Sequence, residues 1–137
     1  MNTHELEGAA LDYWVAKALG LTCRLMKAGE RLANVALSED TCVTLTEGSK
    51  DWYQPYHPSS VWFFGGSIIE EHHIEILYFG QDGISLNGAP WEAQLGTDTH
   101  YIDQGPGDAV AGATPLIAAM RALVQSKLGD EVPDTFQ

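Results

Sequence analysis

The sequence has few basic residues: seven lysines and arginines stand against 19 acidic residues, giving a net charge of −12. A nucleic-acid phosphate backbone repels such a balance, so duplex nucleic acid is excluded as the main partner, although a local basic pocket can still hold one small anion. Long apolar runs are also lacking, since no stretch approaches the roughly 20 residues that cross a bilayer. The first residues show no secretory signal. We therefore expect a cytoplasmic protein with no membrane partner.

Motifs for metal binding and catalysis are lacking as well. The two cysteines, Cys23 and Cys42, form neither a C-x-x-C pair nor a zinc spacing. His72 and His73 are adjacent, and neighbouring strand residues point to opposite faces, so they are poorly placed to share one ion. No phosphate-binding loop or G-x-S-x-G elbow is present. We expect no metal, no cofactor and no catalytic residue, with a hydrolase kept only as an alternative.

Length and composition predict one folded domain spanning residues 1–137. The hydrophobic share of 45% is typical of a globular chain and too high for a disordered one. No repeat, linker or low-complexity tract divides the sequence. Residues 130–137 form an acidic tail that we expect to be frayed beyond Pro133.

Apolar spacing predicts a helix near each end of the chain. In the first, over residues 7–19, Leu11, Trp14 and Val15 share one face, and Gly20 is a suitable stop. The second begins at Thr114, whose hydroxyl can cap the helix, followed by a proline at the first helical position. It continues with helical apolar spacing to about residue 128.

Between the helices the pattern changes to short strands. Residues 41–46, 73–79 and 91–95 read as strands, and residues 21–26 as a weaker one. Turn residues at 81–83 precede a returning strand near 84–86, and residues 98–112 read as a flexible loop. The predicted fold class is α+β: an antiparallel sheet of about four to six short strands, with the N-terminal and C-terminal helices packed on one face.

Residues 48–66 combine six aromatic side chains with Pro55 and Pro58. Prolines at this density oppose a regular helix or a central strand. We therefore predict a long ordered loop, and loops of this length are often functional.

Three segments of the chain resemble the phage NinX-like family, small proteins encoded by tailed bacteriophages and prophages. They are residues 5–17, the central run Tyr56-His-Pro-Ser-Ser-Val-Trp62 with residues 65–70, and the terminal run Thr114-Pro-Leu-Ile-Ala-Ala-Met-Arg121 with residues 126–133. The resemblance implies phage origin and an accessory role inside the infected bacterium, without known catalytic residues. The chain departs from the family pattern at Val61, at Phe63-Phe64 and at Ser67. These departures imply a more apolar pocket if the central segment contacts a ligand.

The aromatic segment and the start of the last helix together suggest a ligand pocket. Aromatic faces stack on bases, glycines allow close backbone approach, and a helix N-terminus with an arginine suits an anion. A small nucleotide-type ligand, sequestered without catalysis, fits this set. A bacterial immune signalling nucleotide is one such ligand. The candidate binding residues are Trp52, Tyr56, Trp62, Gly65, Gly66, Thr114, Leu116 and Arg121.

Several alternatives remain open at the level of sequence. The aromatic rings fill the core in most small domains, and Arg121 has 19 acids with which to pair. Trp62, Phe63 and Phe64 are also suited to a two-fold contact in a homo-oligomer. The strong negative charge suits an inhibitor or adaptor that docks on a basic surface of a host protein.

Overall fold

The computed structural model describes residues 1–80, 89–96 and 109–136. In these ranges three helices, α1 (Gly8–Ala18), α2 (Trp62–His72) and α3 (Pro115–Leu128), follow a short 3₁₀ turn, Thr3–Glu5. The described strands are, in chain order, β1 (Cys23–Met26), β2 (Arg31–Leu32), β3 (Val35–Ala36), β4 (Thr41–Leu45), β5 (Tyr53–Pro55), β6 (Ile74–Tyr78), β7 (Trp91–Leu95) and β8 (Val110–Gly112). No helix in the described ranges is long and apolar enough to cross a membrane.

The α+β prediction is confirmed, with helices near both ends and antiparallel strands between them. The described strands form three small sheets instead of one: β1–β4–β5, the hairpin β2–β3, and β6–β7–β8. Helix α1 packs on β1 and β4, α3 packs on the sheet β6–β7–β8, and the two helices contact each other. The core therefore lies between the two three-stranded sheets, centred on the α1–α3 contact.

Six predicted elements are present close to their expected bounds, namely α1, α3, β1, β4, β6 and β7. Their patterns are local, as the start of α3 shows: Thr114 Oγ1 accepts a hydrogen bond from the Ile117 amide at 3.1 Å, and Pro115 occupies the first turn. The predicted strand at 84–86 lies outside the described residues. So does most of the predicted loop at 98–112, although its last three residues form β8.

The prediction of a long loop over residues 48–66 is wrong in two places. Pro55 ends β5, which lies at the edge of its sheet, where a proline removes no ladder bond. Helix α2 begins at Trp62, downstream of both prolines, and ends at His72, after which His73 adopts the left-handed conformation (φ 53°). The prolines therefore restrict only the stretch before the helix.

The acidic tail contacts the N-terminus of the chain. Asn2 and Glu131 form a β-bridge, and the Val132 amide donates to the Met1 carbonyl at 2.9 Å. Phe136 packs edge-on against the ring of Tyr13, with centroids 5.1 Å apart. Because an aromatic side chain after the proline covers α1, the tail closes one end of the core.

Candidate functional site

Two adjoining cavities form a cleft on the surface of the protein. The larger cavity has a volume of about 430 Å³ and the smaller about 270 Å³, and both are lined by Ser59, Ser60 and Ile117. The larger volume is in the range of small-molecule sites. Hereafter "the cleft" means the two cavities together. The remaining lining residues are Glu7, Gly8, Ala9, Asp12, Glu39, Asp40 and His57 in the larger cavity, and Trp62, Thr114, Pro115 and Leu116 in the smaller.

The first turns of all three helices contribute to this cleft. A helix N-terminus presents unpaired backbone N–H groups and a partial positive charge. Glu7 and Val61, which precede α1 and α2, make no side-chain capping bond. At α3, by contrast, Thr114 already caps the Ile117 amide and Pro115 has no N–H. Among the lining residues, uncapped N–H groups are therefore those of Gly8 and Ala9 at the start of α1 and of Trp62 at the start of α2.

Asp12 forms the floor of the larger cavity. The residue is only 3% exposed, and its side chain accepts a hydrogen bond from the Ser59 amide at 2.8 Å. Burial raises the pKa of Asp12 from 3.8 to about 6, although the bonds from Ser59 and the nearby His57 act in the opposite direction. Asp12 Oδ2 lies 4.0 Å from His57 Nδ1. The cleft therefore holds a buried carboxyl group beside an imidazole, and both side chains can form hydrogen bonds.

The turn over residues 57–61 sets the positions of these groups. The His57 carbonyl accepts bonds from the Ser60 amide at 3.2 Å and the Val61 amide at 2.9 Å. This turn leads directly into α2. Ser59 is buried and donates its amide to Asp12, whereas Ser60 is exposed to solvent. One turn thus connects the buried acid of α1 with the aromatic start of α2.

Three of the sequence-predicted residues meet in the smaller cavity: Trp62, Thr114 and Leu116. Trp62 is 56% exposed, which leaves much of its ring accessible. Gly65 lies behind them and acts in packing, because a Cβ atom there would collide with the Pro58 carbonyl and fall 2.5 Å from Leu116 Cδ2. A Cβ at Gly66 would be 3.8 Å from the Trp62 ring.

The other three predicted residues do not line the cleft. Tyr56 is buried in the core against Phe64, where burial raises the pKa of its hydroxyl. Trp52 is exposed but lines a separate cavity beside β1 and the β2–β3 hairpin.

Arg121 serves the fold instead of the cleft. Its Nε donates to the Leu6 carbonyl at 2.7 Å and its guanidinium Nη1 donates to the Ala111 carbonyl at 3.0 Å. It thereby ties the N-terminal segment and β8 to α3. Partial burial lowers the pKa of Arg121, while Glu7 and Glu5 oppose that change.

Sequence reasoning missed the polar half of the cleft. Asp12 lies in the middle of a buried helical stretch, and only its contact with Ser59, 47 residues away, gives it a role. His57 and Ser60 lie within five residues of Trp62, in the segment that the sequence analysis selects for its aromatic residues. Their closeness to Trp62 along the chain therefore indicates that they could share its site. The described residues contain no group of three or more His, Cys, Asp or Glu side chains that could hold a metal ion.

Comparison with known proteins gives one family. A family model described as "Bacteriophage P22, NinX" matches residues 2–127, a range that contains every residue lining the cleft. A comparison with the curated proteins finds no match. The resemblance predicted from the three sequence segments is confirmed, and the chain belongs to the bacteriophage P22 NinX family.

Proposed function

We propose that this phage protein binds a small nucleotide-type ligand in the cleft and holds it without chemical change. The observation that carries the proposal is the exposed Trp62 ring at a cavity that adjoins the uncapped first turn of α1. A base can stack on the indole, and backbone N–H groups of Gly8 and Ala9 suit a phosphate oxygen.

The carboxylates of the cleft should make it selective among nucleotides. Glu7, Asp12, Glu39 and Asp40 all line the larger cavity. Ribose hydroxyls and base amino groups can donate to them, whereas a highly charged phosphate chain is repelled. We therefore expect ligands with one charge per phosphate group, such as cyclic nucleotides, to bind more tightly than nucleoside triphosphates.

The biological role that follows is sequestration. In a phage accessory protein acting in the cytoplasm of the infected bacterium, removal of a signalling nucleotide would blunt a host defence response. A protein with this role needs affinity and no catalysis.

Isothermal calorimetry against cyclic mononucleotides, cyclic dinucleotides and ADP-ribose derivatives tests the binding. Trp62→Ala is expected to weaken the best ligand about five-fold or more, since a base–aromatic stack contributes about 1–3 kcal/mol. Phe63→Ala is the matched control, because Phe63 is 80% exposed and does not line the cleft. The absence of heat with every ligand, or equal weakening by both variants, would contradict the proposal.

Catalysis is tested on the same samples. After incubation with the protein and denaturation, chromatography should recover the ligand intact. Conversion of the ligand would instead assign a hydrolase, with Asp12 and His57 as the first residues to substitute, because their side chains lie 4.0 Å apart in the cleft.

A second candidate function, an adaptor or inhibitor that binds a host protein, is favoured by the apolar start of α2. Val61, Trp62 and Phe63 are consecutive and all exposed, Phe63 most strongly. A basic partner would be attracted by the net charge and held by this patch. Here Phe63→Ala should abolish the interaction and rising salt should weaken it.

A further inference from the structure

Two of the three arginines in this acidic chain line a single cavity away from the cleft. The cavity has a volume of about 260 Å³ and lies between β1, the β2–β3 hairpin and the segment that leads into β5. We call it the arginine recess. Its lining residues are Arg24, Met26, Arg31, Leu32, Ala33, Asp51, Trp52 and Tyr53.

Neither arginine of the recess is neutralised within the described part of the chain. No carboxylate there lies within 4.0 Å of Arg24 or Arg31. Arg24 stacks on the Tyr53 ring, 4.6 Å from its centroid, and Arg31 donates to the Asn34 carbonyl at 2.6 Å. A guanidinium has five N–H donors, so each arginine is oriented and still has donors to offer.

The local backbone fixes this arrangement. Ala33 and Asn34 form the hairpin turn with φ angles of 50° and 68°, the left-handed pair that a two-residue turn requires. Arg31 closes the same turn through its bond to Asn34. On the other side, β5 pairs with β4, which pairs with β1, so Tyr53 and Arg24 come from one sheet.

Trp52 completes the recess as an aromatic surface. Its side chain is 65% exposed, although a tryptophan usually buries most of its area. Asp51 also lines the recess and offsets one of the two positive charges. The local charge is therefore about +1, which suits a ligand carrying a single phosphate group.

We propose that the arginine recess is a second binding site, for a nucleoside monophosphate or a similar aromatic monophosphate. The ring stacks on Trp52, and the phosphate accepts hydrogen bonds from Arg24 and Arg31. This site is independent of the cleft. It gives a role to an exposed tryptophan and to two arginines that form no ion pair with the described residues.

Calorimetric titration of the whole chain with adenosine monophosphate tests the proposal, with adenosine and inorganic phosphate as separate titrants. The monophosphate should bind more tightly than either part alone. Arg31→Gln should weaken it about ten-fold or more, as expected for a lost bond between charged groups. Lys127→Gln removes the same charge from α3, outside the recess, and should change the affinity little.

The aromatic contact is tested by a second pair of variants. Trp52→Ala should weaken adenosine monophosphate about five-fold or more, whereas Trp62→Ala, in the cleft, should leave it unchanged. Equal binding of monophosphate by the parent, Trp52→Ala and Arg31→Gln overturns the assignment of the site. Binding of inorganic phosphate as tight as that of the monophosphate overturns the assigned ligand class. If Trp62→Ala is the only variant that weakens the binding of adenosine monophosphate, this ligand binds in the cleft and not in the arginine recess.

Discussion

Replacing Asp12 by asparagine should stabilise the protein at neutral pH, although it removes a charge from a hydrogen-bonded site. Asp12 is 3% exposed, and its pKa is raised to about 6 in the folded chain against an ordinary value of 3.8. The folded state therefore holds a proton that the unfolded state loses between these two values. Consequently the free energy of unfolding falls as pH rises from 3.8 to about 6, and stays low above it.

The size of this effect follows from the difference between the two pKa values. At 1.36 kcal/mol per pH unit, it corresponds to about 3 kcal/mol at pH 7. Asparagine keeps an oxygen that can accept the Ser59 amide, so that bond is retained. We expect Asp12→Asn to raise the free energy of unfolding at pH 7 by up to about 3 kcal/mol, and to have little effect near pH 4.

Urea denaturation at several pH values between 4 and 7.5 measures this directly. Asp40→Asn is a useful contrast from the same cleft, because the bond from the Ala28 amide lowers the pKa of Asp40. The Asp40 carboxylate therefore stabilises the fold above its ordinary pKa and loses that contribution as pH falls. Its replacement should destabilise the protein at pH 7. An Asp12→Asn variant that is less stable at pH 7, or that keeps the pH dependence of the parent, would refute the reasoning.

Three further predictions concern contacts that stabilise the fold. Thr114→Ala should lower the free energy of unfolding by about 1 kcal/mol, which is the usual effect of losing an N-terminal helix cap. Chemical denaturation measures this change, and Thr22→Ala is the control because Thr22 is exposed. Gly65→Ala should lower the melting temperature clearly more than Gly66→Ala, since only the first collides with backbone; equal melting temperatures would contradict this packing. Arg121→Gln should cost about 2 kcal/mol or more by losing two bonds to backbone carbonyls, and unchanged stability with weakened nucleotide binding would instead make Arg121 a ligand contact.

The fold could be predicted where its determinants are local. Helix α3 has its capping threonine and its proline within two residues of its start. The apolar spacing that predicts α1 and β4 likewise spans only a few neighbouring residues. Helix α2 could not, because its sequence begins Trp-Phe-Phe-Gly-Gly and has no capping side chain. Glycine and aromatic residues are poor helix formers, so the packing of Gly65 against Pro58 and Leu116 must stabilise it.

The cleft could be predicted in part. The sequence alone selects Trp62, because its segment is rich in aromatic residues, and Thr114 with Leu116, because they begin a helix. The structure places all three at one cavity. Long-range geometry decided the rest. Arg121 donates hydrogen bonds to two backbone carbonyls instead of facing solvent. Asp12 is buried against a turn that contains Ser59, 47 residues further along the chain.

Spectra of the ¹⁵N-labelled protein during titration with the tightest cyclic nucleotide test the central claim most directly. We predict that the Trp62 indole signal and the amides of Gly8, Ala9 and Ser60 shift together and saturate at one ligand per chain. Saturating shifts confined to other parts of the molecule, or no shifts at all with any nucleotide, would contradict the account.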